Sequence, residues 1–163
     1  MKKQEMTICL WFKDQAEEAA TFYTSIFHDA EIGHISRFGK EGFEYHGMPE
    51  GMVMAVDFRL NKMNFTAING GLKNNFTEAI SIIINCDTQE EIDHYWSNLA
   101  KGGTEQQCGW LKDKFGVSWQ ITPEILSQYF SDKDETRSRR VKSVAFEMKK
   151  FDIEKLKKAY DGK

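Results

Sequence analysis

Apolar positions along the chain follow two different periods, and the points where the period changes mark the elements. Residues 7–12 (TICLWF) and 80–85 (ISIIIN) are short runs of strand length, rich in β-branched and aromatic side chains. Each leads into an Asp-x-x-Glu sequence, Asp14 to Glu17 and Asp87 to Glu90, which predicts a helix start whose side chains satisfy the first backbone donors. The spacing then becomes helical. Ile92, Tyr95, Trp96, Leu99 and Ala100 recur at i, i+3, i+4, i+7 and i+8, and Ala16, Ala19, Ala20, Tyr23, Ile26 and Phe27 form a similar stripe. Gly102-Gly103 stops the second helix.

Beyond each helix the period falls to two. In the first half, 32–38 reads as a strand, 39–51 as a Gly-rich loop, and 52–60 with 63–69 as a hairpin turning at Asn61-Lys62. In the second half the predicted strands are 105–111 and 116–122, and Pro123 opens a short helix near 124–130. The polar stretch 131–140 reads as a loop and 141–148 as an added strand. A final helix over 152–160 is capped by Asp152, with a Phe151–Leu156 staple. A faint repeat relates the halves: Asp14 and Asp87 lie 73 residues apart, and at that offset Glu17, Glu18, Phe22, Tyr23 and Ile26 meet Glu90, Glu91, Tyr95, Trp96 and Leu99.

A length of 163 residues suits one ordinary domain or two half-domains sharing a core. The net charge of −3 supplies no broad positive field for nucleic acid or anionic lipid. No apolar run approaches the ~20 residues of a membrane span or the apolar region of a signal peptide, so a cytoplasmic protein is expected. Cys9, Cys86 and Cys108 form an odd set without C-x-x-C spacing and read as reduced thiols.

The segments CLWFKDQAEEAATFYTSIF, Asn69-Gly70-Gly71, INCDTQEEIDHYW, QCGWLKDKFGVSWQI with its following Thr122-Pro123, and MKKFDIEKLKKAY carry a more specific signal. With the duplicated period, they make the chain resemble the PhnB-like branch of the vicinal oxygen chelate superfamily, which includes glyoxalase I, bleomycin-resistance proteins and extradiol dioxygenases. Members often carry the description 3-demethylubiquinone-9 3-methyltransferase. The resemblance implies an α+β fold of tandem βαβββ modules of the glyoxalase/bleomycin-resistance/dioxygenase type with an added C-terminal strand and helix. It places a single domain over 1–163, with modules at 6–70 and 78–131 and the C-terminal strand and helix at 140–160.

Catalytic members of the superfamily hold a divalent metal with His and Glu, one from each of four strands, residue types that suit borderline and hard cations. Carried onto this sequence, those positions fall at Thr7, within 65–69, at Ser81 and at Gln120. The last is placed by Asp113 and Gly116 in a D-x-x-G-x-x-x-E pattern that here ends in Gln. None is a good ligand. His28, His34, His46 and His94 show no H-x-H or H-x-x-x-H spacing, so no metal and no other cofactor is expected. His94 reads as a surface residue; His34 and His46 flank the loop, where they are either simply exposed or turned toward a ligand.

Strand parity puts Thr7, Cys9 and Trp11 opposite Ile8, Leu10 and Phe12, and Ser118, Gln120 and Thr122 opposite Val117, Trp119 and Ile121. The resemblance implies a cup lined by the more polar faces. The expected ligand-binding set is therefore Thr7, Cys9, Trp11, Asn69, Ser81, Ser118 and Gln120, with no catalytic residue assigned. The competing structural reading has the Ser, Asn and Gln residues satisfying backbone groups and Trp11 filling the core. Cys108 reads as an inert thiol, Asp57 with Arg59 as an exposed ion pair, and the charges of 132–140 as a solvated face. The expected function is a metal-free small-molecule-binding protein. The alternatives are a lyase/isomerase or dioxygenase-type enzyme of the same fold using a substrate-borne or weakly bound metal, and a methyltransferase. The last lacks a Gly-rich strand-to-helix turn in a doubly wound sheet. Expected partners are an unidentified small molecule and a second copy in a homodimer, covering an apolar stripe of Ile153, Leu156 and Tyr160; neither nucleic acid nor membrane is expected.

Overall fold

The computed structural model describes residues 5–71 and 75–163, and the chain divides into two compact units, Met1–Asn75 and Phe76–Lys163. Residues 72–74, between the two modules, lie outside the described residues. Among the described residues no helix is long and apolar enough to cross a membrane.

The first unit contains β1 (Thr7–Phe12), α1 (Ala16–Ile26), β2 (Ala30–Arg37), α2 (Phe43–His46), β3 (Val53–Leu60) and β4 (Met63–Asn69). Its sheet has the order β1-β4-β3-β2, with β1 parallel to β4 and the other pairs antiparallel. Alternation along the strands buries Leu10, Phe12, Val56, Phe58, Phe65 and Ala67 on one side. Against that side α1 lays Ala16, Ala19, Ala20, Tyr23 and Ile26, all buried. The three alanines let helix and sheet approach closely, and the Tyr23 ring stacks 6.1 Å from Phe58, itself 5.1 Å from Phe65. Asn61 takes a positive φ of 51° to make the predicted hairpin turn. The Gly-rich loop holds the short helix α2, which the pattern did not signal.

In the second unit lie β5 (Ile82–Cys86), α3 (Gln89–Leu99), β6 (Thr104–Glu105), β7 (Trp110–Lys112), β8 (Ser118–Pro123), α4 (Ile125–Phe130), α5 (Glu135–Glu147) and α6 (Ile153–Asp161). The order β5-β8-β7-β6, again with its outer pair parallel, repeats the first sheet. Both ends of α3 fall 73 residues after the corresponding ends of α1, so the sequence offset is the structural repeat. Asp113 explains the D-x-x-G pattern structurally. Its buried carboxylate accepts from Phe115 N, Val117 N and Trp119 Nε1, closing the β7–β8 turn and fixing the core tryptophan.

Several expectations need correction. Neither Asp14 nor Asp87 caps its helix. Asn69 Oδ1 accepts the first amide of α1, from Ala16, at 2.9 Å, and α3 is capped one residue later by a Thr88–Glu91 capping box. The strand at 105–111 is broken, because Cys108 and Gly109 both have positive φ, 59° and 76°, and turn the chain between β6 and β7. Only 131–134 form the expected loop: residues 135–140 of that loop and 141–147 of the expected strand are one helix, α5. Asp134 caps it through Thr136 N and Arg137 N, and Ser138, Val141 and Ala145 are buried at helical spacing. The added C-terminal element is therefore a helix pair. Asp152 caps α6 as predicted, but the apolar stripe on α6 is covered within its own unit: Leu156 is fully buried and Tyr160 stacks 4.2 Å from Tyr129.

Candidate functional site

Each sheet leaves one face without a helix, and the predicted site residues divide between these two faces. In the first unit the strand register arranges the open face in rows. Trp11, Ile68 and Ala55 form an apolar row, Cys9, Thr66 and Asp57 a mixed row, and Thr7, Asn64, Arg59 and Glu31 a polar row. Successive rows are about 7 Å apart, so the face grades from aromatic to charged over about 14 Å. A cavity of about 330 Å³ sits at the polar end, lined by Thr7, Asp57, Arg59, Asn64 and Thr66 among others.

The charged groups of this face are held in place. Asp57 accepts from the Thr66 hydroxyl at 2.7 Å, while Arg59 donates to Glu31 at 3.1 Å and Asp29 at 2.9 Å. The expected Asp57–Arg59 pair is thus replaced by two separate sets of contacts. The guanidinium beside Asp29 holds that carboxyl below the usual carboxylate range. Trp11 is 46% exposed and lies directly over Gly70, where a Cβ would overlap the indole. A glycine at this point leaves room for the ring to rest on backbone, which presents its other face outward. Cys9, two residues before Trp11 in β1 and exposed as a residue, has its thiol pushed up by partial desolvation.

Asn69 belongs to the fold. It is buried, with Oδ1 on Ala16 N and Nδ2 donating to Val53 O at 3.0 Å. His46 likewise braces its own loop, accepting from Met48 N at 2.9 Å with its ring tilted against Phe38 at 4.6 Å, whereas His34 is exposed. His94 is half-buried on α3, off the buried stripe of Ile92, Tyr95, Trp96 and Leu99.

In the second unit Gln120 Nε2 donates to Ser81 Oγ at 2.8 Å, so the sheet brings these two predicted residues together. Register places Gln120 between Ile83 and Trp110. Ile83 is 53% exposed. Ser118, on the same side, is buried and its hydroxyl has no partner among the described residues. Residue-by-residue reading missed Glu31, Asn64, Thr66 and Trp110, whose signal is the cross-strand register rather than any motif. Burial pushes the Cys86 thiol up to about 12. Cys108 is half-buried, its sulfur 3.8 Å from Ala145 O.

The 3-demethylubiquinone-9 3-methyltransferase family profile matches residues 4–122. A Bacillus cereus structure, described under the same heading and as a PhnB protein, is 39% identical; the match covers 74% of this chain and 99% of that chain, with a TM-score of 0.65. The chain belongs to this PhnB family. Two further structures share its fold at lower identity: PA1353 of Pseudomonas aeruginosa (20% identity, covering 75% of this chain and 98% of that chain, TM-score 0.62) and the fosfomycin resistance protein FosX of Listeria monocytogenes (19%, covering 81% and 100%, TM-score 0.51). The fold is that of the vicinal oxygen chelate superfamily. A search of curated proteins gives no match.

The superfamily's metal does not fit the residues this PhnB-family chain offers. The mapped positions hold a threonine, a serine, a glutamine whose amide is engaged with that serine, and the 65–69 stretch, which has neither acid nor imidazole. Among the described residues no group of three His, Cys, Asp or Glu is placed to hold a metal.

Proposed function

We propose that this chain is a metal-free small-molecule-binding protein, holding a planar, partly polar organic ligand on an open sheet face. The observation that carries this reading is the Trp11 platform. A half-exposed indole rests on Gly70, and the same face runs into a polar cavity with Arg59, Asn64 and Thr66. A ligand lying along β1 stacks its flat part on Trp11 and reaches donors and acceptors at the other end. The Ser81–Gln120 pair beside Ile83 and Trp110 gives the second sheet a comparable mixture. Methyl transfer, named in the family's description, gains no support from the architecture: each sheet has a single parallel pair, not the doubly wound parallel array that holds a nucleotide-like cofactor at its switch point.

Thermal-shift screening against metabolites and aromatic compounds in the presence of chelator, followed by calorimetry, tests the proposal. Trp11→Ala is expected to cost more than about 1 kcal/mol of binding through lost stacking area. Gln120→Ala costs about 0.5–1.5 kcal/mol if that amide meets the ligand. Hits that bind wild type and both variants equally refute the assignment.

A further inference from the structure

The net charge of −3 hides a strong asymmetry. Residues 135–163 hold ten Lys and Arg against five Asp and Glu, a formal charge of +5, which leaves residues 1–134 at −8. This basic segment is helix pair α5–α6, and it lies beyond residue 122, where the family profile ends. About a quarter of this chain is not needed to cover 99% of the Bacillus cereus relative. The helix pair therefore does not merely complete the family module.

It is nevertheless firmly attached to its unit. Cys108 N and Gly109 N donate to Met148 O and Lys149 O at 2.7 and 2.8 Å, and the Gln89 side chain bonds both Phe151 O and Ile153 N. Arg140 joins the two helices, donating to Ala159 O at 2.8 Å and Tyr160 O at 2.7 Å. Between them runs a groove of about 660 Å³ lined by Arg140, Ser143, Val144, Lys155, Lys158, Ala159, Gly162 and Lys163. Its lining includes four cations and no acid. The acids that the lysines meet, Asp152, Glu154 and Asp161, stand outside the groove at 3.6–3.8 Å in exposed pairs, which a ligand replaces at little cost.

We propose that the α5–α6 groove is a docking site for an acidic segment of a partner protein, carboxylates flanking an apolar side chain. The carboxylates meet the lysine rim, and the apolar side chain rests on Val144, Ala159 and the lysine stems. Cations around an apolar floor suit a peptide that carries both carboxylates and an apolar side chain, and the lining has no aromatic ring on which a nucleic-acid base would stack.

The test is fluorescence anisotropy with the full chain and a fluorescein-labelled peptide of glutamates around a central leucine. Saturable binding is expected, weakened by added salt, weaker for the same peptide with serine replacing leucine, and reduced roughly tenfold or more by Lys158→Glu with Lys163→Glu. Lys133→Glu, outside the groove, leaves it unchanged. Should the double charge reversal melt early, Lys158→Gln with Lys163→Gln is expected to show the same loss in a folded protein. Absence of saturable binding, equal binding by the groove variants, or tighter groove-dependent binding of polyuridylate or phosphatidylglycerol vesicles overturns the proposal.

Discussion

Asn69 shows how a polar residue beside two glycines serves the fold rather than a ligand. Its amide satisfies the first donor of α1 and a carbonyl of β3, a pairing of positions 53 and 16 residues away that no local pattern reveals. Asn69→Ala leaves buried groups unpaired and is expected to destabilise the first unit by about 1–3 kcal/mol in chemical denaturation, without the ligand-specific loss shown by Trp11→Ala. Gly109 is the counterpart in the second unit. Its φ is 76°, and an added Cβ would stand 2.6 Å from both Ile121 O and the Phe151 ring. Gly109→Ala is expected to cost at least about 1–3 kcal/mol, read as a lowered melting temperature. The thiols separate by environment: Cys9 is exposed, Cys86 is buried with its thiol pushed up to about 12. Timed alkylation near neutral pH with mass spectrometry should label Cys9 well before Cys86, which reacts only on unfolding.

At the scale of elements, legibility followed the origin of each signal. Strands β1, β3 and β4 and helices α1, α3 and α6 were readable because their apolar periods are set by one buried face. The helix caps at the start of each module slipped because Asp14 and Asp87 supply the same local chemistry as the residues that do the work. Helix α5 was hidden by composition. Only Ser138, Val141 and Ala145 are buried, so its stripe is thin and its charges read as loop, yet Asp134 is a strong cap. Its partner α6 depends on one buried anchor: Leu156→Ala should cost about 2–5 kcal/mol. Asp132 ties α6 to the α4–α5 loop. It accepts from the Tyr160 hydroxyl and from Asp134 N, which together hold its carboxyl below the usual range. Because the folded value is depressed, this contribution is fully present above the ordinary carboxylate value near ~3.9 and is lost as pH falls through the lower folded value. Near-ultraviolet circular dichroism of the Tyr129–Tyr160 pair should therefore change in that acid range, and Asp132→Asn should flatten the change.

For the whole molecule, the sequence repeat, the matching strand orders and the family match agree on a duplicated βαβββ architecture, while the chemistry of the sheet faces became readable only once strand register joined residues from different strands. Exposed apolar side chains on those faces, Trp11 and Ile83 among them, also favour self-association; light scattering at micromolar concentration is expected to give twice the 18.9 kDa of one chain. The central claim is that ligand binding here needs no metal. Native mass spectrometry of protein purified from cells and exhaustively treated with chelator tests it most directly. An organic adduct that persists without metal and is lost in Trp11→Ala is expected. An adduct that disappears on chelation and returns when one divalent ion per chain is restored would contradict it.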